Sequence, residues 1–158
     1  MLDLGCGEGI TDLGFLEYQL KQIYGLDITS WDLDHLNRVI KKIKDHGFKL
    51  SNVNRFKFIH YDGKHFPIPD ASIDIIFSQG VFENVQNIPL VLREMHRVLR
   101  SDGFCYVYVF PWFKSRYGSH LTDYINDPYY HLQNSPEEVE AKLKEYDEDP
   151  QFMDYLFN

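Results

Sequence analysis

Two cysteines in 158 residues are too few for a disulfide framework, and Cys6 and Cys105 have no metal-ligand spacing, so no metal is expected. Free thiols suit a reducing cytoplasm. No apolar run approaches the roughly 20 residues of a membrane-spanning helix. The chain also does not open on the basic and then apolar segments of an export signal. The expected setting is therefore cytoplasmic and away from membranes. Positive charge is scarce too: 16 Lys and Arg stand against 24 Asp and Glu, a net charge of -8. That balance argues against a broad basic surface for nucleic acid or anionic lipid and makes small molecules the expected partners. The length allows one ordinary domain core and is short for two.

What is present is concentrated in the first nine residues. Leu2 and Leu4 flank Asp3 in strand-like alternation, and Gly5, Gly7 and Gly9 follow at alternate positions. Glycine there removes the Cβ atoms that would hold a ligand off the backbone. A strand, a glycine turn and a helix are the expected local structure. The acid discriminates between ligands. A loop built for pyrophosphate offers backbone N–H groups and gains nothing from a carboxylate just before it, whereas a carboxylate suits a cationic ligand.

Leu2 to Gly9 resembles the first motif of the class I S-adenosylmethionine-dependent methyltransferases, hydrophobic-hydrophobic-Asp-x-Gly-x-Gly-x-Gly. Asp3, Gly5, Gly7 and Gly9 match it, with Cys6 and Glu8 in the variable places. The resemblance implies that Asp3 helps hold the amino-acid end of S-adenosyl-L-methionine while the loop, Cys6 included, passes close to it. A nicotinamide oxidoreductase would share a glycine loop, but it prefers Gly-x-Gly-x-x-Gly. Gly9 comes one place too early for that pattern.

Later segments fall in the order this family would require. Apolar residues at Leu13, Leu16, Leu20 and Ile23 predict a helix over 11–22. Tyr24–Asp27 is then a second strand ending in an acid, where a nucleoside-binding α/β fold places its acceptor for ribose hydroxyls. The resemblance gives Asp27 that role and lays Ile28 against the adenine. Asp32–His46 reads as a second helix, capped by Ser30 and stopped by Gly47. Phe56–Tyr61 reads as a third strand. The family would have Asp62 accept from the adenine amino group, with the Gly63 backbone beside a ring nitrogen; Asp-Gly is equally a turn signal. Pro67 to Ser72 leads into a fourth strand, Ile73–Phe77, whose Asp74 reads as structural. Ser78 and Gln79 open the segment that lines the cofactor in the family. Glu83-Asn84 stands where many relatives carry a His. Pro89–Leu99 predicts a third helix with Leu90, Leu92, Met95, Val98 and Leu99 apolar, Ser101-Asp-Gly103 its end, and Phe104–Phe110 a fifth strand.

These readings give a Rossmann-like α/β fold: about five parallel strands, helices on both faces, and an α-rich cap after residue 111. Residues 1–111 are expected to bind S-adenosyl-L-methionine, and residues 112–158 to form a helical, aromatic cap or substrate-binding segment. His120 is the candidate proton acceptor, on the tendency of histidine to titrate near neutrality. Ser135 and Pro136 begin a capped helix reaching Tyr146. The helix that precedes the first strand in complete members, and the strand pair that follows their cap, are not found, so the chain resembles a family member shortened at both ends. An exposed edge beside the fifth strand is then expected, to be covered by a second copy or a partner chain. The implied reaction is in-line transfer of a methyl group to a small-molecule acceptor; the competing reading is a non-catalytic or partner-dependent relative.

Overall fold

Three short apolar runs interrupted by glycine or acid become the central strands. The computed structural model describes residues 1–110, 114–118 and 121–146. Strands β1 (Leu2–Leu4), β2 (Ile23–Asp27), β3 (Phe56–His60), β4 (Ile73–Gln79) and β5 (Leu99–Tyr108) form one sheet in the order β3-β2-β1-β4-β5. Every pairing is parallel. Helices α1 (Ile10–Phe15), α2 (Leu33–Asp45) and α3 (Ile88–Val98) supply the crossovers, and α4 (Tyr130–Gln133) and α5 (Pro136–Lys144) follow β5. Because crossovers are right-handed, α1 and α2, which step the chain one way from β1, cover one face, and α3, which steps it the other way, covers the opposite face. The order reverses between β1 and β4, the switch point at which such sheets bind ligands.

The core follows from that layering. Leu13 and Leu16 beside α1, Leu36 and Val39 of α2, and Ile23 and Phe56 of the sheet form one buried cluster. On the other side α3 buries Val91, Met95 and Val98. Leu92, expected in that apolar set, is 48% exposed, because the buried stripe runs through its neighbour Val91.

Several boundaries differ from expectation. The first helix stops at Phe15 instead of Gln22: Glu17 and Tyr18 donate to carbonyls only three residues back, at Gly14 and Phe15, tightening the chain into turns. Ile23, placed in that helical stripe by its spacing, is in β2 paired with Phe56. The cap of α2 is Asp32, whose Oδ1 accepts the His35 N–H at 2.6 Å, and not Ser30. Asp102 and Gly103 do not separate α3 from β5. The strand begins at Leu99, and three extra residues bulge out of its ladder: Ile73 pairs with Leu99 and Ile75 already with Phe104. Gly103 permits this, since a Cβ there would lie 2.8 Å from the Asp74 carbonyl oxygen. Asp74 itself is exposed and pairs with Arg100 at 2.9 Å. β5 is the edge of the sheet, with Phe104, Tyr106, Val107 and Tyr108 exposed.

The chain divides into two compact units, Met1–Gln79 with Asn87–Tyr108, and Gly80–Gln86 with the described residues from Val109 on. The second is built on Leu121, Ile125, Val139 and Leu143, with Tyr124 and Tyr130 packed against them. Its α5 starts with a capping box in which Ser135 and Glu138 satisfy each other's backbone N–H groups. No helix among the described residues is long and apolar enough to cross a membrane.

The loop before β4 is tied to α3 by Arg97. Its guanidinium donates to the carbonyls of Phe66 and Ile68 at 2.9 Å each and to Asp70 and Glu94, while Glu94 also accepts the Phe66 N–H at 2.8 Å. The Arg97 fork, above all, holds the Glu94 carboxyl down at about 2. Replacing Arg97 with Ala is expected to lower stability by about 2–3 kcal/mol, the scale of hydrogen bonds to a charged group. Arg97→Lys should recover less than half, because an ammonium cannot span the fork. Thermal unfolding followed by circular dichroism measures both.

Candidate functional site

The site begins where β1 runs out. Gly5, Gly7 and Gly9 have φ of +75°, +51° and +77°, the left-handed region that side chains disfavour. The loop they form is pinned to the end of β2: Gly5 N–H donates to the Leu26 carbonyl at 2.7 Å, and Gly7 N–H donates to Asp27 Oδ2 at 2.8 Å. A Cβ on Gly7 would meet nothing within 4 Å, so the loop's crest is open. A Cβ on Gly9 would lie 2.9 Å from the rings of Phe56 and Phe58, so that glycine lets α1 pack down on the sheet.

Asp27 is held at both oxygens. Oδ1 accepts the Thr29 N–H at 2.8 Å, opposite the Gly7 bond on Oδ2. Each oxygen keeps a further lone pair, so the carboxylate is fixed in orientation and still able to accept two hydroxyl donors. Ile28, the next residue, is 63% exposed, and Gly63 lies against it: a Cβ on Gly63 would be 3.6 Å from Ile28 Cγ2. Asp62 and Gly63 form the expected turn after β3. Asp62 Oδ1 accepts the N–H groups of Lys64 and His65 at 2.9 Å each, and Gly63 has φ of +76°. Those two N–H bonds hold the Asp62 carboxyl below its ordinary range. Asp27, Ile28, Asp62 and Gly63 thus stand at the carboxyl ends of neighbouring strands β2 and β3.

On the other side of β1, Ser78 is buried and its hydroxyl donates to the Leu4 carbonyl at 3.0 Å. It fastens β4 to β1 at the switch point. Gln79, which follows it, is exposed. The Cys6 side chain turns inward, where its Sγ would be 2.8 Å from a Cβ on Gly25. Burial, reinforced by Asp12, Asp27 and Asp3, pushes this thiol up. The Cys6 backbone is engaged at both groups: its N–H donates to the Leu26 carbonyl at 3.4 Å and its carbonyl accepts the Gly9 N–H at 3.0 Å. His120 lies outside the described residues, as does Trp112.

One residue had not been singled out. Asp12, in the first turn of α1, is fully buried, and among the described residues no side chain other than Asp3 meets its carboxyl oxygens. They meet the carboxyl of Asp3, itself 3% exposed. Burial raises Asp12 to about 9, with the Asp3 charge adding to it; burial raises Asp3 to about 6, offset by its hydrogen bond with Asp12 and raised again by the Asp27 charge. Both shifts favour a proton held between the two carboxyls. The signal was in the sequence: Asp12 stands one residue before Leu13 and four before Leu16, on the buried stripe of the helix. An acid on that stripe must be paired or neutralised.

Residues 2–107 match a family described as a methyltransferase domain. Among curated proteins, the chain is 25% identical over 103 residues to 27-O-demethylrifamycin SV methyltransferase of Amycolatopsis mediterranei, covering 65% of this chain and 35% of that protein. It is 29% identical over 104 residues to demethylmenaquinone methyltransferase of Geobacillus stearothermophilus, covering 65% of this chain and 41% of that one. The crystal structure of a SAM dependent methyltransferase from Aquifex aeolicus shares the fold, with a TM-score of 0.53, 20% identity, and coverage of 91% of this chain and 69% of that chain. The chain spans 35% and 41% of the length of those two curated relatives.

The buried pair has a consequence for stability. An acid whose folded pKa is raised contributes stability that is complete below its unfolded value and is lost as pH rises through the folded one. For Asp12 that window runs from about 4 to about 9. Asp12→Asn keeps a donor for Asp3 and cannot ionise, so it is expected to be more stable than the parent by about 2 kcal/mol at pH 8, within the penalty for an unsatisfied buried polar group. The gain should shrink steadily towards pH 5. Melting temperatures of both proteins between pH 5 and pH 9 measure it.

Proposed function

The chain belongs to the methyltransferase domain family, which it matches over residues 2–107, and from that premise we propose that it binds S-adenosyl-L-methionine and methylates a small-molecule acceptor. The observation that carries this reading is Asp27: a carboxylate locked by Gly7 and Thr29 at the end of β2, beside an open left-handed glycine loop, with a lone pair left on each oxygen. That arrangement fits a ribose diol. When bound, the cofactor supplies an electrophilic methyl group on a sulfonium.

The chain's own residues do the rest. Asp27 accepts the two ribose hydroxyls, and the exposed face of Ile28 with Gly63 offers an apolar seat for a purine. Asp62, kept ionised by its two N–H donors, presents its exposed carboxylate as an acceptor for an exocyclic amine. Asp3 faces the amino-acid end, and Gly5, Cys6, Gly7 and Gly9 allow a ligand to lie on their backbone. Ser78 fixes β4 against β1, so that Gln79, the last residue of β4, ends the strand at the switch point. In this reading residues 1–111 form the cofactor-binding part, residues 112–158 supply the acceptor side, and His120 is the proton acceptor. Transfer proceeds by in-line displacement, and the protein's contribution is to align the attacking atom and exclude water. Free thiols and the acidic surface favour a cytoplasmic setting and a neutral or cationic acceptor.

A second reading is supported by β5. Its exposed Phe104, Tyr106 and Val107 stand at a sheet edge, which suits a relative that works only with a second copy or a partner chain covering that edge.

Calorimetric titration with S-adenosyl-L-methionine and S-adenosylhomocysteine tests the first reading. Micromolar binding is expected, weakened about 100-fold or more in a folded Asp27→Ala variant that has lost two charged hydrogen bonds. Absence of binding by the folded chain overturns it.

A further inference from the structure

The Asp3–Asp12 pair is more than a buried acid to be tolerated. Asp12 is shut away from solvent with no side-chain partner for its oxygens other than the Asp3 carboxyl, and Asp3 is itself only 3% exposed. The groups that face the pair carry no positive charge. From the loop comes the neutral Cys6 thiol and from β2 the Asp27 carboxylate. Among the described residues no Lys, Arg or His forms an ion pair with Asp3, Asp12 or Asp27. A buried cluster of carboxyls without a cation of its own is stable only with a proton on it.

We propose that this pair is a proton-exchanging seat for the cationic ammonium of the cofactor's amino-acid end. Empty, it holds two carboxyls and one proton, an enclosed charge of minus one. With an ammonium against Asp3 the proton is superfluous: two carboxylates and one cation again enclose minus one. The proton passes from Asp12 to Asp3 and from there to solvent as the ligand arrives. Asp12 never touches the ligand; it is a positioning residue that acts through Asp3, making affinity for the amino-acid end rise with pH. The proposal rests on the cofactor-binding reading above, and its test separates the two.

Calorimetric titration of the 158-residue chain at pH 7.0, in two buffers of different ionisation enthalpy, counts the protons released per ligand. S-adenosylhomocysteine, which has the ammonium, is expected to release roughly one proton and to bind about tenfold more tightly for each pH unit between 6.5 and 7.5. Adenosine, which lacks it, should bind with no release and no such slope. In Asp12→Asn the release for S-adenosylhomocysteine should fall to near zero and the pH slope should flatten; Asp12→Ala gives the same result if the amide does not fold. Equal proton release in parent and variant, or none in the parent, overturns the seat while leaving cofactor binding intact. Failure of the folded parent to bind either ligand overturns the cofactor reading, and the seat with it.

Discussion

The hydrogen bond from Gly7 N–H to Asp27 Oδ2, at 2.8 Å, joins the two features on which the site depends. It runs from the crest of the glycine loop to the end of the second strand, and with the Gly5 bond to the Leu26 carbonyl it makes the loop part of the sheet. A loop with three left-handed residues would otherwise sample many conformations, since glycine loses more backbone freedom on ordering than any other residue. Tied to β2 in this way, the loop offers an open backbone surface, and the same bond aims the carboxylate. Cradle and acceptor are therefore preorganised together.

From that junction the site extends across three strand ends. β1 delivers Asp3, β2 delivers Asp27 and Ile28, and β3 delivers Asp62 and Gly63, on neighbouring parallel strands of which β1 borders the point where the strand order reverses. The acids have different surroundings and so different states. Asp62 is exposed and held ionised by two backbone donors, whereas Asp3 and Asp12 are enclosed and burial pushes both carboxyls up. On the function proposed above, these three carboxyl environments would receive the hydroxyls, the amine and the ammonium of the cofactor. The match of residues 2–107 to a methyltransferase domain carries the family, and a fold does not by itself set the acceptor.

Much of this arrangement was legible in the sequence because strand ends are marked by apolar runs that stop at an acid or glycine. Asp27 and Asp62 could be placed from that pattern, as could the five strands and the capped start of α5. The misreadings have a common origin in local period. Leu20 and Ile23 continue a helical spacing by coincidence, and only the pairing of Ile23 with Phe56 assigns it to the sheet. Asp102-Gly103 looks like a turn between elements, and only the approach of Gly103 to the Asp74 carbonyl shows that it is a bulge. Asp12 was overlooked for a different reason: its position on the helix stripe was readable, but its partner Asp3 is brought to it by the fold of the glycine loop. The reading of residues 112–158 rested on aromatic content, which names no chemistry.

The central claim is that the glycine loop and the ends of β2 and β3 form one binding surface. Backbone amide spectra of the isotope-labelled chain, recorded by NMR with and without S-adenosylhomocysteine, test it most directly. The account predicts that the largest shifts fall together on Gly5, Gly7, Ile28, Thr29 and Gly63. Shifts confined to α2 or to the β5 edge, with these five amides unmoved, would contradict it.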